Sequence, residues 1–390
     1  MSWLQWAERE LELLRRELRW RSTHAFDARG PQGIRNGRAV ISFCSNDYLG
    51  LSQHPAVCQA AHQAIEQFGT GAGASRFVSG TRSLHLELEL LLAQWKQTQS
   101  ATLFPTGFAA NLGVLSVFGS EDTVLFSDAL NHASIVDGCR LAKARTMIYR
   151  HRDLEHLGWL LTAHRGRSIV ISDSVFSMDG TLAPVDQLAE LCARHDALLV
   201  LDEAHAVLGP DVTAPATNLL RVGTLSKTLG ALGGWVAGPR PLIELLVNRA
   251  RSLIFTTALP PADTAAAMAA VRICRSEEGD TLRRQLRHAI DYIAPQHPSP
   301  IVPIILGSEQ AALDAAEQLL ALGLLVPAIR PPTVPVGSAR LRVALSAAHT
   351  TPMLERLRQA LAQLNGHSFD VSGGAAVAHH RVGPARHRQR

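Results

Sequence analysis

Between residues 100 and 240, short apolar runs alternate with stretches of helical periodicity. Runs of this length, rich in Val, Ile, Leu and Phe, are typical of strands that are buried on both faces. Their alternation with helices predicts a mostly parallel, seven-stranded sheet flanked by helices in an α/β fold. The predicted strands are Ala101–Phe104, Thr123–Phe126, Thr146–Tyr149, Ser168–Ile171, Ala197–Leu201, Leu220–Val222 and Trp235–Ala237.

The chain after residue 240 has a different pattern, which predicts a smaller C-terminal α+β domain. Its strand candidates are Ile301–Leu306, Leu324–Ile329 and Leu341–Leu345, with helices over 309–322 and 352–364. Thr351 is expected to cap the last helix. We expect four segments: an N-terminal helix (Met1–Arg21) and arm over 1–40, a large domain over 41–260, the small domain over 261–366, and a disordered basic tail over 367–390.

Composition and charge argue against several classes of protein. The N-terminus lacks the apolar region of a secretion signal, and no apolar run reaches the ~18 residues of a membrane helix. Five scattered cysteines without a Cys-x-x-Cys pair indicate a reducing cytoplasm and neither disulfides nor a metal site. The net charge is +4, but residues 367–390 carry four Arg and one Asp. Because the rest of the chain is close to neutral, no nucleic-acid partner is indicated.

Only three lysines occur in the chain: Lys96, Lys143 and Lys227. Lys96 and Lys143 lie in helical segments that we expect to be exposed. Lys227 instead follows a predicted strand, in the string Gly-Thr-Leu-Ser-Lys-Thr-Leu-Gly over 223–230. Small residues there let a phosphate and a ring approach the backbone closely. This string favours cofactor attachment at Lys227, and a surface-loop lysine is the alternative.

A second pattern is an apolar strand that ends in Asp-Glu-Ala-His at Asp202–His205. Ligands of open α/β sheets bind at the carboxyl ends of strands, so Asp202 and His205 are placed at a candidate site. An acid there can keep the nitrogen of a pyridine cofactor protonated, whereas a helix cap and a surface histidine are the alternative. The same four residues also occur in helicases, but the phosphate-binding Gly-x-x-x-x-Gly-Lys-[Ser/Thr] string is missing.

From about residue 40 to 365, the ordered motifs resemble the α-oxoamine synthases, a family of fold-type I pyridoxal-phosphate (PLP) transferases. The matching strings are Asn46–Leu51, Ser75–Thr81 with His85, Gly107–Asn111, Asn131–Ser134, Ser174–Gly180, Asp202–His205, Gly223–Gly230 and Ala339–Arg342. One departure is that the segment from His205 to Thr224 is shorter than usual in the family, which leaves the role of that loop open.

The resemblance implies a PLP site built by several of these motifs. Lys227 holds the cofactor as a Schiff base, Asp202 pairs with the pyridine nitrogen and His205 contacts the phenolic oxygen. His132 stacks on the ring and is also a catalytic residue. The other implied cofactor contacts are Gly107 and Phe108 at the phosphate, Ser177, Thr224, and Thr257 supplied by the partner chain of a homodimer.

The resemblance also implies how substrates are held. Arg342, with Asn46, binds the amino-acid carboxylate, since a planar guanidinium matches a carboxylate. The string Ile329–Pro335 resembles the branch of the family that condenses L-alanine with a pimeloyl thioester, of CoA or of acyl carrier protein, in biotin biosynthesis. By that match Arg330 and Thr333 contact substrate, and Arg19 approaches the distal end of the acyl chain. Alternatives are an enzyme that uses acetyl-CoA and glycine, an aminotransferase of the same fold, and a non-enzymatic regulator, for which we expect no spare N-terminal length.

Overall fold

A computed structural model describes residues 1–214 and 217–364, so the predicted tail over 367–390 lies outside the described residues. Its strands are β1 (Asp27–Arg29), β2 (Gln32–Arg35), β3 (Arg38–Ser42), β4 (Ser100–Phe104), β5 (Thr123–Asp128), β6 (Arg145–Tyr149), β7 (Arg167–Asp173), β8 (Leu198–Asp202), β9 (Leu219–Thr224), β10 (Gly234–Gly238), β11 (Ile301–Gly307), β12 (Leu324–Leu325), β13 (Ala328–Ile329) and β14 (Ala339–Ala344).

Helices separate most of these strands. They are α1 (Trp3–Arg16), α2 (Pro55–Phe68), α3 (Ser83–Trp95), α4 (Gly107–Phe118), α5 (Ala133–Leu141), α6 (Leu154–Ala163), α7 (Val185–Arg194), α8 (Arg240–Arg249), α9 (Arg251–Ile254), α10 (Pro261–Cys274), α11 (Glu277–Ile293), α12 (Glu309–Ala321) and α13 (Thr351–Gln363). A 3₁₀ turn over Leu51–Gln53 and a π turn over Arg76–Gly80 complete the helical structure. Among the described residues, no helix is both long and apolar enough to cross a membrane.

The central sheet has seven strands in the order β4-β10-β9-β8-β7-β5-β6. Only β10 runs antiparallel to its neighbours; the pairs from β9 through β6 are parallel. All seven predicted strands are present, and the prediction of a mostly parallel, seven-stranded sheet in an α/β fold is confirmed. Because parallel strands share one direction, the carboxyl ends of β5, β7, β8 and β9 meet at one edge of the sheet.

The two faces of this sheet pack on different helices. Val170 and Leu199 lie in one apolar cluster with residues of α6 and α7. Their neighbours Ile171 and Val200 lie in a second cluster, with residues of α4, α5 and α8. Consecutive residues of a strand point to opposite faces, so both faces are buried and each strand forms a continuous apolar run.

Three details of the secondary structure differ from the sequence predictions. The predicted strand Leu324–Ile329 is divided, because β12 pairs with β3 while β13 pairs with β14. Pro327 lies at the break and has no N–H group to donate to a ladder. The N-terminal helix ends at Arg16, well before Arg21. Thr350, not Thr351, is the N-cap of α13. The four-segment division of the chain stays a prediction.

His349 is a buried histidine of the C-terminal region, and its pKa is expected to make the stability of the protein depend on pH. It stacks on Phe43, donates from Nε2 to the Ser42 carbonyl and accepts at Nδ1 from the Ser346 N–H group. Burial lowers its pKa from 6.5 to about 4. Since the folded-state pKa is depressed, the stabilisation is complete above pH 6.5 and is lost as the pH falls towards 4.

We expect His349→Asn, which does not titrate, to show a smaller acid destabilisation than the unchanged chain. The depressed pKa of His349 corresponds to ~2 kcal/mol lost between pH 7 and about pH 5. Urea unfolding at the two pH values measures this loss for both proteins, and the other histidines cancel in the comparison. An equal loss in both proteins would contradict the role given to His349.

Candidate active site

A cavity of about 220 Å³ lies at the carboxyl edge of the central sheet. Asp173 ends β7, Asp202 ends β8 and Thr224 ends β9, and all three contribute to its wall. Eight of the predicted cofactor residues line this one cavity: Gly107, Phe108, His132, Ser177, Asp202, His205, Thr224 and Lys227. The structure thus brings together side chains that are up to 120 positions apart in sequence, from Gly107 to Lys227.

Asp202 is a buried residue of the cavity wall and is oriented by two donors. Its Oδ2 accepts from Asn111 Nδ2 at 2.7 Å, and its Oδ1 accepts from the Ala204 N–H group at 2.9 Å. Asn111 Nδ2 also donates to Ser134 Oγ at 2.9 Å. The carboxylate therefore has a fixed orientation and can pair with a protonated ring nitrogen.

Lys227 and His205 form a close pair in the same cavity. Lys227 Nζ lies 2.8 Å from His205 Nε2, and His205 Nδ1 lies 2.6 Å from the Tyr48 hydroxyl. Burial is the main cause that lowers the pKa of Lys227, against the raising effect of the Asp202 and Asp173 carboxylates. Burial also lowers the pKa of His205 well below its ordinary value, and Lys227 lowers it further. A depressed lysine pKa makes the neutral, nucleophilic amine more accessible near neutral pH.

His132 lies at the start of α5, as its N-cap residue. Its Nδ1 contacts Ser134 Oγ at 2.8 Å, and its backbone N–H donates to Asp173 Oδ2 at 3.0 Å. Burial lowers the pKa of His132, which favours the neutral imidazole. Burial, and next the Asp202 carboxylate, raise the pKa of Asp173 well above its ordinary value. The half-buried ring of His132 is thus held at the cavity wall by its backbone as well as its side chain.

Another part of the cavity wall is suited to an anion. Helix α4 begins at Gly107, and Thr106 is its N-cap through a bond from the Ala109 N–H group. Thr224 Oγ1 lies 2.7 Å from Ser226 Oγ, so two hydroxyl groups face the same region. A β-carbon on Gly107 would lie 3.3 Å from the Thr224 β-carbon, a tight contact that Thr224 could relieve only by shifting a few tenths of an ångström. N–H groups at a helix N-terminus and adjacent hydroxyls are typical phosphate ligands.

Arg342 is buried on β14 and reaches towards the cavity. Its Nε donates to the Ser177 carbonyl at 2.6 Å, and its Nη2 donates to Asn46 Oδ1 at 3.1 Å. Arg340, on the same face of the strand, pairs with Asp179 at 2.5 Å. The structure therefore brings both Ser177 and Asn46 into contact with Arg342.

Four predicted residues lie apart from this cavity. Arg330 donates to the backbone carbonyls of Leu18 and Trp20, and Thr333 Oγ1 accepts from Arg21 at 3.3 Å. Arg19 pairs with Glu17 at 2.7 Å, half-exposed. Arg330 and Thr333 thus contact the segment that carries Arg19. Thr257 forms an isolated bridge with Ser75 beside a separate small cavity.

The structure corrects one expectation about lysines. Lys96 is not exposed: its side chain is 10% accessible and its Nζ lies 2.6 Å from Glu203 Oε2. Arg221 pairs with the other oxygen of Glu203 at 2.6 Å. The glutamate beside Asp202 is therefore part of a buried ion cluster and does not line the Lys227 cavity.

Sequence reasoning missed three residues that contact the predicted ones. Asn111 holds Asp202, Tyr48 holds His205 and Asp173 holds the His132 backbone. Asn111 had a usable signal, since a polar residue one turn after Gly107 in an apolar helix faces the same direction. Tyr48 lies within the matching string Asn46–Leu51, but no sequence pattern indicates its contact with His205. Asp173 lies outside the matching strings and has no such signal.

These groups match the chemistry of PLP: an amine, an acid for a ring nitrogen and an anion cradle for a phosphate. Asn111 Oδ1 is a buried polar atom without a hydrogen-bond partner among the described residues. The cavity wall therefore has an unused acceptor that a polar ligand could occupy. No group of three or more metal-ligating side chains occurs within residues 1–214 and 217–364. The residues present therefore fit the cofactor that the resemblance implies.

Comparison with known proteins places these motifs in one family. The model of the family "aminotransferase class I and II" matches residues 38–361. An 8-amino-7-oxononanoate synthase of Anaeromyxobacter dehalogenans is 47% identical, over 92% of this chain and 95% of the relative. A serine palmitoyltransferase variant from S. paucimobilis, solved with a PLP–myriocin aldimine, superposes with a TM-score of 0.87 at 27% identity, covering 93% and 98% of the two chains.

A solved 8-amino-7-oxononanoate synthase from Francisella tularensis has a TM-score of 0.71 at 27% identity, covering 83% of this chain and 96% of that one. The sequence match extends over nearly the whole length of both proteins. The chain belongs to the aminotransferase class I and II family and, within it, to the 8-amino-7-oxononanoate synthases.

Proposed function

We propose that this protein uses PLP to condense L-alanine with a pimeloyl thioester, releasing carbon dioxide, the thiol and 8-amino-7-oxononanoate in biotin biosynthesis. The observation that carries the proposal is the Lys227–His205 pair, which shares a cavity with the oriented carboxylate of Asp202. Curated relatives named for this product support it. Lys227, Asp202 and His132 would hold PLP in this cavity, where the cofactor would supply an electron sink for the electrons released at the α-carbon of the amino acid.

Lys227 is the proposed base that removes the α proton of alanine once its amine is free. Its lowered pKa serves this role, because a larger fraction of the amine is neutral at a given pH than for an exposed lysine. His205 Nε2, 2.8 Å away, holds the amine in place. Asp202 would keep the ring nitrogen protonated, and His132 would cover the ring and polarise a carbonyl.

The carboxylate of alanine is proposed to bind Arg342 and Asn46, which are already in contact. Arg342 is buried, so its ionic bond to a carboxylate is poorly screened by solvent. The hydrogen bond from Arg342 Nε to the Ser177 carbonyl fixes the orientation of the guanidinium. This arrangement would place the Cα of the amino acid between Arg342 and Lys227.

The acyl chain is proposed to extend towards Arg330, Thr333 and Arg19, where the N-terminal segment contacts the β13–β14 connection. Thr257 is proposed to reach the phosphate of a partner chain, since it lies outside the Lys227 cavity of its own chain. Such sharing requires a homodimer. Five free cysteines support a cytoplasmic location.

A donor panel tests the proposal. Purified protein with PLP is given pimeloyl-CoA, pimeloyl-acyl carrier protein or acetyl-CoA, each with alanine or glycine, while free thiol and carbon dioxide are measured. We expect both products only when a pimeloyl donor meets alanine. Preference for acetyl-CoA and glycine would favour a glycine acetyltransferase, and amino-group exchange with a keto acid without thiol release would favour an aminotransferase; either result overturns the proposal.

A further inference from the structure

A continuous chain of hydrogen bonds joins Arg342 to Lys227. The Tyr48 hydroxyl is in its middle, 3.1 Å from Asn46 Oδ1 and 2.6 Å from His205 Nδ1. At one end Arg342 Nη2 lies 3.1 Å from the same Asn46 oxygen, and at the other His205 Nε2 lies 2.8 Å from Lys227 Nζ. Tyr48 is fully buried, at 0% exposure, so no solvent water competes for its hydroxyl.

The direction of each bond follows from the donor capacity of each group. A guanidinium only donates, so the Asn46 atom that faces Arg342 must be the amide oxygen. The Tyr48 hydroxyl faces that same oxygen and has a single proton, which it therefore gives to Asn46. Its own oxygen is then left as an acceptor towards His205.

The same reasoning continues to the lysine. Because Tyr48 can only accept from His205, the imidazole proton must lie on Nδ1. His205 Nε2 is then bare and accepts from Lys227 Nζ. Burial lowers the pKa of His205 well below its ordinary value, so the ring is neutral and carries one proton. The donor-only guanidinium of Arg342 thus decides, through the two intervening side chains of Asn46 and Tyr48, which imidazole nitrogen of His205 carries the proton.

We propose that Tyr48 is a positioning residue that fixes His205 as the Nδ1–H tautomer and so presents a hydrogen-bond acceptor to Lys227. Without the hydroxyl oxygen of Tyr48, the buried Nδ1–H group of His205 would lack an acceptor, which is unfavourable. The ring would then move its proton to Nε2 and could no longer accept from a lysine ammonium. Tyr48 therefore acts on the lysine through His205 without touching it.

The charged and titratable groups around this pair come from several elements. The groups that act on Lys227 or His205 through space are Asp173 on β7, Asp202 on β8, His132 at the start of α5 and Arg342 on β14. None of them hydrogen-bonds to either nitrogen of His205 among the described residues. Tyr48 and Lys227 are thus the groups whose removal should change the tautomer directly.

Nitrogen-15 NMR of the cofactor-free, histidine-labelled protein tests the proposal without any catalytic readout. In the unchanged chain we expect His205, assigned by its absence in His205→Asn, to show a protonated Nδ1 and a bare Nε2. In Tyr48→Phe we expect the opposite, a bare Nδ1 and a protonated Nε2. Tyr149→Phe is the matched control, because Tyr149 is equally buried and its hydroxyl has no partner among the described residues; its His205 signals should not change.

Asn46→Ala provides a second variant in case Tyr48→Phe does not fold. Asn46→Ala removes the oxygen that accepts the Tyr48 proton. Tyr48 can then donate that proton to His205 Nδ1, so we again expect the imidazole proton of His205 to move from Nδ1 to Nε2. An Nε2–H tautomer in the unchanged chain, or an unchanged tautomer in the folded variants, would overturn the proposal.

The expected effect of these variants on turnover rests on the proposed function. It is tested independently of the NMR result. Tyr48→Phe should lower kcat about tenfold, the equivalent of one lost buried hydrogen bond, with a smaller change in the KM for alanine. Asn46→Ala should instead raise that KM, because Asn46 is proposed to contact the carboxylate. A tautomer reversal in a protein that releases no thiol from any donor would refute the proposed function and leave the inference on Tyr48 intact.

Discussion

Lys227→Ala is expected to lose the visible absorption band of lysine-bound PLP and at least about 10³-fold in thiol release. Both effects have one physical origin, since the amine that bonds the cofactor is also the proposed base. Lys227 is the only lysine of the chain that lines the cavity among the described residues. The absorption spectrum of the desalted protein and a thiol assay with pimeloyl-CoA and alanine measure the two losses.

The chain provides two matched controls, because it has only two other lysines. Lys143 is exposed, so Lys143→Ala should retain both the band and the activity. Lys96 is in a buried ion pair with Glu203, so Lys96→Ala should lower stability and retain the band. Borohydride reduction should fix PLP to both controls and not to Lys227→Ala. Fixation of PLP to the Lys227 variant would contradict the assignment.

The central sheet could be predicted because its strands are buried on both faces. Such strands are continuous apolar runs, and the alternating helices imply parallel pairing. The ribbon β1–β3 was not predicted, because its first strand is fully exposed and its second only partly covered. A strand without a buried face has no apolar alternation by which to recognise it.

The site likewise contains residues that the sequence predicts and contacts that it does not. Lys227, Asp202, His205 and His132 lie in motifs of the family, and the structure places all four in one cavity. The burial of Lys96 could not be predicted, because its partner Glu203 is more than 100 positions away in the chain. The contact of Arg330 with the N-terminal segment depends on a similar long-range approach, which local sequence patterns do not encode.

Asp202→Asn is expected to lower kcat about 10³-fold while leaving PLP attached to Lys227. An amide has almost the same shape as a carboxylate, so the change removes charge from the place where a protonated ring nitrogen needs it. Loss of such electrostatic stabilisation in a buried site typically costs this much. Steady-state thiol release measures kcat, and the absorption band verifies that the cofactor is bound.

Asn111→Ala distinguishes the charge of Asp202 from its orientation. This variant keeps the carboxylate and removes one of the two donors that orient it, the 2.7 Å bond to Oδ2. The Ala204 N–H group still holds the other oxygen. We therefore expect a loss of only about tenfold in kcat, as for one buried hydrogen bond to a charged group. Equal losses in the two variants would show that Asp202 acts through the hydrogen-bond network and not through its charge on the cofactor ring.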